Sequence, residues 1–216
     1  MDQSVHPAKI RGVMSAQPAT AKGRETRARI IGAASQLIAE HGVAGTSLDD
    51  VRAAANVSKS QLYHYFSDRD DLMRAVARAV SDEVVGGQAE LFEQLDTIAG
   101  LRSWSAALVA VQHARNAKGG CPIGSLVGQL AEQDEGARLE LAEGIDRWEE
   151  AIRTGLDRMA ARGELRPDVD PGALAQNTLV AVQGGLLLTQ LRRDPHQLRA
   201  ALDGAINAVV AARTTD

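Results

Sequence analysis

Apolar residues recur at helical spacing through nearly the whole chain. Between residues 24 and 40 the positions that share one helical face are Ile30, Ala33, Ala34, Leu37 and Ile38. Spacings of three and four residues place side chains on one side of an α-helix, whereas a strand requires alternation, which is not seen in this sequence. The pattern predicts an all-α fold.

Two short helices follow, separated by a tight turn. Ser47 begins the first as an N-cap, and Asp50, three residues later, completes a capping box. Asn56 lies where the chain must turn sharply, because asparagine tolerates a positive φ angle better than most residues. Ser58 then caps a third helix, so residues 47–66 predict a helix-turn-helix unit.

The segment VSKSQLYHYFSDRDDL contains three of the six aromatic residues of the chain. Leu62, Tyr65 and Phe66 stand at i, i+3 and i+4, and we expect them to face inward. The residues left on the outer and N-terminal sides are Lys59, Ser60, Gln61, Tyr63 and His64. Because the second helix of such a unit lies in the major groove of DNA, these side chains are candidates for DNA contact.

The rest of the chain also has a helical pattern. It predicts helices at 69–95, 101–117, 123–133, 136–162, 171–191 and 195–212, separated at Gly100, the KGGCP run, Gly163 and two proline-containing breaks. The organisation expected is a flexible N-terminal arm at 1–22, a three-helix DNA-binding domain at 23–68 and a helical body at 69–216.

Charge differs between the two ends of the chain. Residues 1–81 hold 11 Lys and Arg against 8 Asp and Glu, whereas residues 82–216 hold 13 against 20. A mildly basic front suits a protein that meets a polyanion with one end. No apolar run approaches the length of a membrane span, and the first residues lack the apolar core of a secretory signal, so we expect a cytoplasmic protein without membrane contact.

The segment ARIIGAASQLIAEHGVAGTSLDDVRAAANVSKSQLYHYFSDRDDLM resembles the DNA-binding domain of the tetracycline-repressor (TetR) family. LYHYF and the following SDRDDL carry the resemblance, which covers about a quarter of the chain. Asn56 and Ser60 stand where the family frequently has glycine. The resemblance implies a transcriptional regulator whose helical body binds a small-molecule effector and dimerises.

Position by position, the resemblance assigns DNA contacts to eight residues. Lys59 would meet a phosphate or a guanine edge, Gln61 would pair with adenine, and Ser60 would contact a base or the backbone. The remaining five would bind phosphate, namely Tyr63, His64, Thr46 or Ser47 at the start of the second helix, and Arg69. Ser47 caps the second helix whether or not it binds DNA. The alternative for Arg69 is a solvent-exposed charge without a DNA contact.

Amphipathic faces in the body suggest an effector pocket. A mostly apolar cavity with few polar groups is typical of small-molecule sites. The candidates that meet this description are Trp104, Leu108, Val111, His113, Cys121, Ile123, Trp148, Ile152 and Gln183. Plain core packing remains the alternative for each.

GGCPIGSLVGQL, at residues 119–130, resembles more loosely a stretch of the LmrA/YxaF-like branch of the family, where it opens the helix next to the pocket. Pro122 suits the first turn of a helix and the glycines permit a bend, so a hinge without ligand contact is the alternative.

The last two helices have apolar faces that predict a homodimer. Gly184 and Gly185 would permit close approach, and the apolar positions concerned are Leu179, Val182, Leu186, Leu198, Leu202, Ala205, Ile206 and Val209. Two recognition helices would then bind a palindromic operator in double-stranded DNA. The expected mechanism is repression relieved by a small apolar or aromatic effector, with activation as the alternative.

Two other classes of protein are weighed against a regulator. No HExxH, GxSxG, GxGxxG or Walker motif is present, and Cys121 with His113 would form a nucleophile–base pair only if the fold joined them. We therefore expect no enzyme, no cofactor and no metal site. A helical protein-interaction module without sequence-specific DNA binding would predict a damaged recognition helix, whereas Lys59, Gln61, Tyr63 and His64 are retained.

Overall fold

The computed structural model describes residues 18–214, and within that range the chain is all α-helical, as predicted, apart from one isolated antiparallel bridge between Leu165 and Arg213. Ten helices are formed there: α1 (Ala21–His41), α2 (Leu48–Ala54), α3 (Lys59–Tyr65), α4 (Arg69–Gly86), α5 (Ala89–Phe92), α6 (Ile98–Ala114), α7 (Pro122–Leu130), α8 (Glu135–Ala161), α9 (Pro171–Arg192) and α10 (His196–Ala211). The predicted arm lies outside the described residues up to position 17, and α1 already includes its last two positions.

Helices α1 to α3 form a small domain around an apolar centre. Ile30, Val51, Leu62 and Phe66 are almost completely buried, because the inward faces predicted from their spacing meet there. The turn between α2 and α3 is made by Asn56, whose φ of +49° confirms the predicted positive value. This turn fixes α3 across α1 and α2 as the second helix of a helix-turn-helix.

The body is built on α8, which packs against α4 on one side and α9 on the other, while α10 covers α9 and α6. Gly144 allows α8 to approach α4 closely, because a Cβ atom at this position would lie 2.4 Å from Ser81 Oγ. Arg78 also forms two hydrogen bonds of 2.7 Å with Glu140 across the same pair of helices. The first helix of the body is thus fixed firmly to the longest one.

The prediction of one helix over residues 69–95 was wrong, since α4 ends at Gly86 and α5 is a separate short helix. Helix α4 ends at Gly86 with Gly87 as its C-cap, and the buried side chain of Gln88 follows directly. Its Nε2 donates to the Val84 carbonyl at 2.7 Å, and its Oε1 accepts from Trp104 Nε1 at 2.9 Å. Both ends of this buried amide are thus hydrogen-bonded where α4 ends.

Gly100 does not separate two helices as predicted. Thr97 caps α6, its hydroxyl accepting a hydrogen bond from the Gly100 N–H at 3.0 Å, so the glycine lies in the first turn. The helix ends earlier than predicted, because Asn116 and Ala117 adopt positive φ angles of 51° and 54°. The other helix boundaries of the body lie close to the predicted ones.

The apolar faces predicted for association lie instead inside the chain. The buried side chains at these positions pack the last two helices against each other and against the rest of the body, and they are Leu179, Val182, Leu186, Leu198, Leu202, Ile206 and Val209. Gly185 serves the same internal packing, since a Cβ there would lie 2.9 Å from Leu198 Cδ1. A different face of α9 is exposed, and its apolar members are Val180, Leu187, Leu188 and Leu191.

Candidate DNA-binding surface and effector cavity

The outer face of α3 is open to solvent. Tyr63 is 49% exposed, and Lys59 and His64 are also exposed. Lys59 Nζ lies 6.0 Å from the centre of the Tyr63 ring, and the His64 ring packs edge-on against Tyr65 with 4.9 Å between centres. A cation, a phenol and an imidazole therefore share one exposed face, and all three are groups that contact phosphate oxygens.

The first turn of α3 is held by a second capping box that the sequence analysis did not predict. Ser58 Oγ accepts from the Gln61 N–H at 3.2 Å, and Gln61 Oε1 accepts from the Ser58 N–H at 2.8 Å. Ser60 Oγ lies 3.0 Å from Ser58 Oγ. The Gln61 oxygen thus already accepts one hydrogen bond within the protein, and the predicted pairing of Gln61 with adenine stays a prediction.

Thr46, Ser47 and Arg69 already have hydrogen-bond partners within the protein, and their phosphate contacts stay predictions. Thr46 is 3% exposed and donates its hydroxyl hydrogen to the Gly42 carbonyl at 2.9 Å. The Ser47 hydroxyl donates to Asp50 Oδ2 at 2.6 Å, and the hydrogen bonds from Ser47 lower the pKa of Asp50, so a carboxylate charge lies beside it. Arg69 donates to the Val43 carbonyl at 2.5 Å. Thr46 and Ser47 thus bond within the small domain, whereas Arg69 joins the start of α4 to that domain.

A cavity of about 1000 Å³ lies beside α1, α4, α6 and α7, with a few residues of α8 and α9. Four of the nine predicted ligand contacts line it, namely Leu108, Val111, Cys121 and Trp148. Its size and largely apolar lining fit a small-molecule site.

The other five predicted contacts are not in the cavity lining. Trp104, Ile123 and Ile152 are fully buried in the core. The side chain of His113 is exposed on α6, away from the lining. Gln183 is half-buried beside Cys121 and is not part of the lining. Periodicity identified their helices but not which side of each helix faces the cavity.

The cavity wall contains a thiol and two buried polar atoms without partners. Burial raises the pKa of the Cys121 thiol, and its Sγ accepts from the Gly124 N–H at 3.4 Å, which caps α7. Cys121 lies in the cavity wall and His113 is exposed outside the lining, so the structure does not bring the two together as a nucleophile–base pair. Trp148 Nε1 and Gln112 Oε1 have no hydrogen-bond partner.

Sequence reasoning missed two features of this site. Helix α1 of the small domain lines the cavity, with Gly32 and Ser35 among its contributors. In addition, Gln129 on α7 accepts a hydrogen bond from the Val43 N–H at 2.8 Å. The sequence signal for the first feature was Gly32, because glycine is less favourable inside a helix than alanine. The bond between Gln129 and Val43 had no such signal.

A helix-turn-helix domain with an exposed recognition helix, joined to a helical body that holds a large cavity, defines a DNA-binding transcriptional regulator. The family described as "Bacterial regulatory proteins, tetR family" matches residues 30–76, and "Tetracyclin repressor-like, C-terminal domain" matches residues 97–205. The chain belongs to the TetR family of transcriptional regulators.

Relatives are similar over most of the chain. The transcriptional regulator AcuR of Cereibacter sphaeroides is 26% identical over 173 residues, covering 79% of this chain and 79% of AcuR. The repressor DhaR of Mycobacterium sp. (strain GP1) is 23% identical over 196 residues, covering 85% of this chain and 92% of DhaR. A TetR transcriptional regulator from Chloroflexus aurantiacus superposes with a TM-score of 0.74 at 25% identity, covering 90% and 98% of the two chains. The predicted LmrA/YxaF-like branch stays a prediction.

No helix among residues 18–214 is both long and apolar enough to cross a membrane.

Proposed function

We propose that the protein is an effector-responsive repressor that binds a palindromic operator as a homodimer. The exposed face of α3 is the observation that carries this proposal. Repression is the mode named for DhaR, and an operator that overlaps a promoter would make a bound dimer a repressor. Such a role places the protein in the cytoplasm, where the chromosome is.

Lys59, Tyr63 and His64 would contact the phosphate backbone, because they are exposed together on the outer face of α3. Ser60 would contact a base edge or a phosphate. Gln61 would offer DNA mainly its Nε2 donor, since its oxygen already accepts one hydrogen bond at the start of α3. A single donor discriminates bases less well than a bidentate amide, so we assign most sequence reading to Lys59 and Ser60.

The dimer would form through the exposed apolar stripe of α9. Val180, Gly184, Leu187 and Leu191 recur at i, i+4, i+7 and i+11, and a Cβ at Gly184 would meet nothing within 4 Å. Leu187 is 64% exposed and Leu191 is 74% exposed, which is unusual for leucine in a chain that remains alone. Two copies related by a two-fold axis would bury this stripe.

The cavity would bind the effector, and the effector would lower operator affinity by favouring a different spacing of the two recognition helices. A ligand shifts such an equilibrium only by its difference in affinity for the two states. The reciprocal must also hold, so bound operator would weaken effector binding by the same factor.

The test starts with selection of genomic DNA fragments bound by the purified protein, followed by fluorescence anisotropy on the selected duplex and a scrambled control. We expect selective, salt-sensitive binding that Tyr63→Ala and Lys59→Ala each weaken at least tenfold. Lys118→Ala is the matched control, because it removes the same charge from an exposed position of the body. Recovery of no preferred fragment would contradict the proposal and favour a protein-interaction module.

A further inference from the structure

Helix α1 belongs to the DNA-binding domain, yet it forms one side of the cavity. Ala28, Gly32, Ser35 and Ala39 recur at i, i+4, i+7 and i+11 and share the face toward it. Leu108 and Val111 on α6 and Val80 on α4 supply apolar surface from the body. The cavity therefore lies at the junction between the two parts of the molecule.

Gly32 lies well inside α1, where alanine would be more stable. Packing does not require a glycine at position 32, since a Cβ added there would meet nothing within 4 Å. At Gly144, by contrast, a Cβ would collide with Ser81. Gly32 is exposed, and the absence of a side chain leaves open space next to the helix at this edge of the cavity. An occupant of the cavity can thus approach the α1 backbone closely.

Gln112 supplies the polar feature of the opposite wall. Its side chain lines the cavity and is 4% exposed, and its Oε1 has no partner. A buried acceptor without a partner is costly and gains from a ligand that donates a hydrogen bond. The lining includes one acidic and one basic side chain, Glu83 and Arg115, and both are exposed, so the interior favours a neutral molecule.

We propose that the effector binds directly against helix α1 at Gly32 and Ser35, and that it is a neutral, largely apolar molecule that donates a hydrogen bond to Gln112 Oε1. This inference rests on the proposed function and adds the ligand class and the point of regulation. An effector in this position contacts α1, α4 and α6 at once, so it fixes the orientation of the DNA-binding domain against the body. The signal then needs no relay through the core.

The first test is a titration with N-phenyl-1-naphthylamine, a neutral aromatic fluorophore with one N–H group. Gly32→Leu places a branched side chain in the space beside α1, and we expect it to weaken dye binding at least tenfold. Gly128→Leu is the matched control. Gly128 also faces open space and lies on α7, which borders the cavity, but Gly128 itself is not part of the cavity lining. We expect that control to bind the dye as the wild type does.

The hydrogen bond to Gln112 is tested with a pair of dyes. Gln112→Leu keeps the approximate shape and removes the acceptor, so N-phenyl-1-naphthylamine should bind about three- to tenfold more weakly. The analogue 1-benzylnaphthalene replaces the N–H by CH₂ and should bind the variant no more weakly than the wild type. Equal losses for both dyes would overturn the hydrogen bond.

Unchanged dye affinity in Gly32→Leu would overturn the contact with α1, and failure of the wild type to bind either dye would overturn the ligand class. Thermal unfolding verifies that the variant is folded, and Ser35→Leu, one turn further on the same face, gives a second measurement.

Operator binding is measured separately without dye. Loss of selective DNA binding by the wild type would contradict the proposed function, and the dye titrations would still decide the contact with α1.

Discussion

Gln129 Oε1 accepts a hydrogen bond from the Val43 N–H at 2.8 Å, which joins helix α7 of the body to the loop between α1 and α2. The same side chain donates through Nε2 to Ser125 Oγ at 3.2 Å, and Ser125 lines the cavity. Arg69 donates to the carbonyl oxygen of Val43 from the start of α4. Val43 is therefore held on both its backbone groups by the body.

We expect Gln129→Leu to weaken the coupling between cavity and operator. The variant leaves the Val43 N–H without its partner, which should cost about 1 kcal/mol of stability. Coupling is measured as the ratio of N-phenyl-1-naphthylamine affinities with and without the selected operator. We expect this ratio to move toward one.

Gln129→Glu is the companion variant, because a carboxylate still accepts from Val43 but no longer donates to Ser125. Retained coupling in this variant would assign the role to the Val43 bond alone. An unaltered ratio in Gln129→Leu would show that the link is only structural.

Gln61 is expected to have separable roles in capping and in DNA binding. Gln61→Glu keeps an acceptor for the Ser58 N–H, so the free energy of unfolding should stay within about 0.5 kcal/mol of the wild type, whereas Gln61→Ala should lose about 1 kcal/mol. Both variants lack the Nε2 donor and should alter the preference among single-base variants of the operator. Denaturant unfolding and anisotropy titrations measure the two effects. Unchanged base preference in Gln61→Ala would leave Gln61 as a cap only.

Association is expected to depend on the exposed stripe of α9. Leu187→Glu should convert the proposed dimer to a monomer in light scattering coupled to size-exclusion chromatography, because two glutamates would face each other across the two-fold axis. Leu139→Glu is the control, since Leu139 is 54% exposed on α8 and lies outside the stripe. A dimer that persists in Leu187→Glu would place the interface elsewhere.

Cys121 is expected to make stability depend on pH in the alkaline range. Burial raises the pKa of its thiol in the folded state above the unfolded value of about 8.5, so the folded state retains the proton longer. The associated stability is fully present below the unfolded pKa and is lost as pH rises through the folded pKa. The free energy of unfolding should fall more steeply above about pH 8.5 in the wild type than in Cys121→Ser. Parallel curves would contradict the shift.

The local structure of the DNA-binding domain was readable from the sequence, because it depends on groups a few residues apart. Ser47 and Asp50 form their capping box through a spacing of three, and Asn56 turns the chain by its own backbone preference. The same reasoning overlooked the capping box of Ser58 and Gln61, since glutamine was interpreted only as a reader of DNA. A residue with two possible partners requires the structure to show which one it has.

Sequence alone determined the helical class, the helix-turn-helix and the exposed face of its third helix, since all three follow from periodicity and capping within one segment. Only the tertiary structure decided which faces of α9 are buried, that Thr46 and Arg69 bond inward, and that α1 borders the cavity. Gln129 and Val43 are 86 residues apart, and their contact depends on how α7 packs beside the first domain. Helical spacing gives each helix an apolar side, but the neighbours that cover this side are chosen by packing among all the helices.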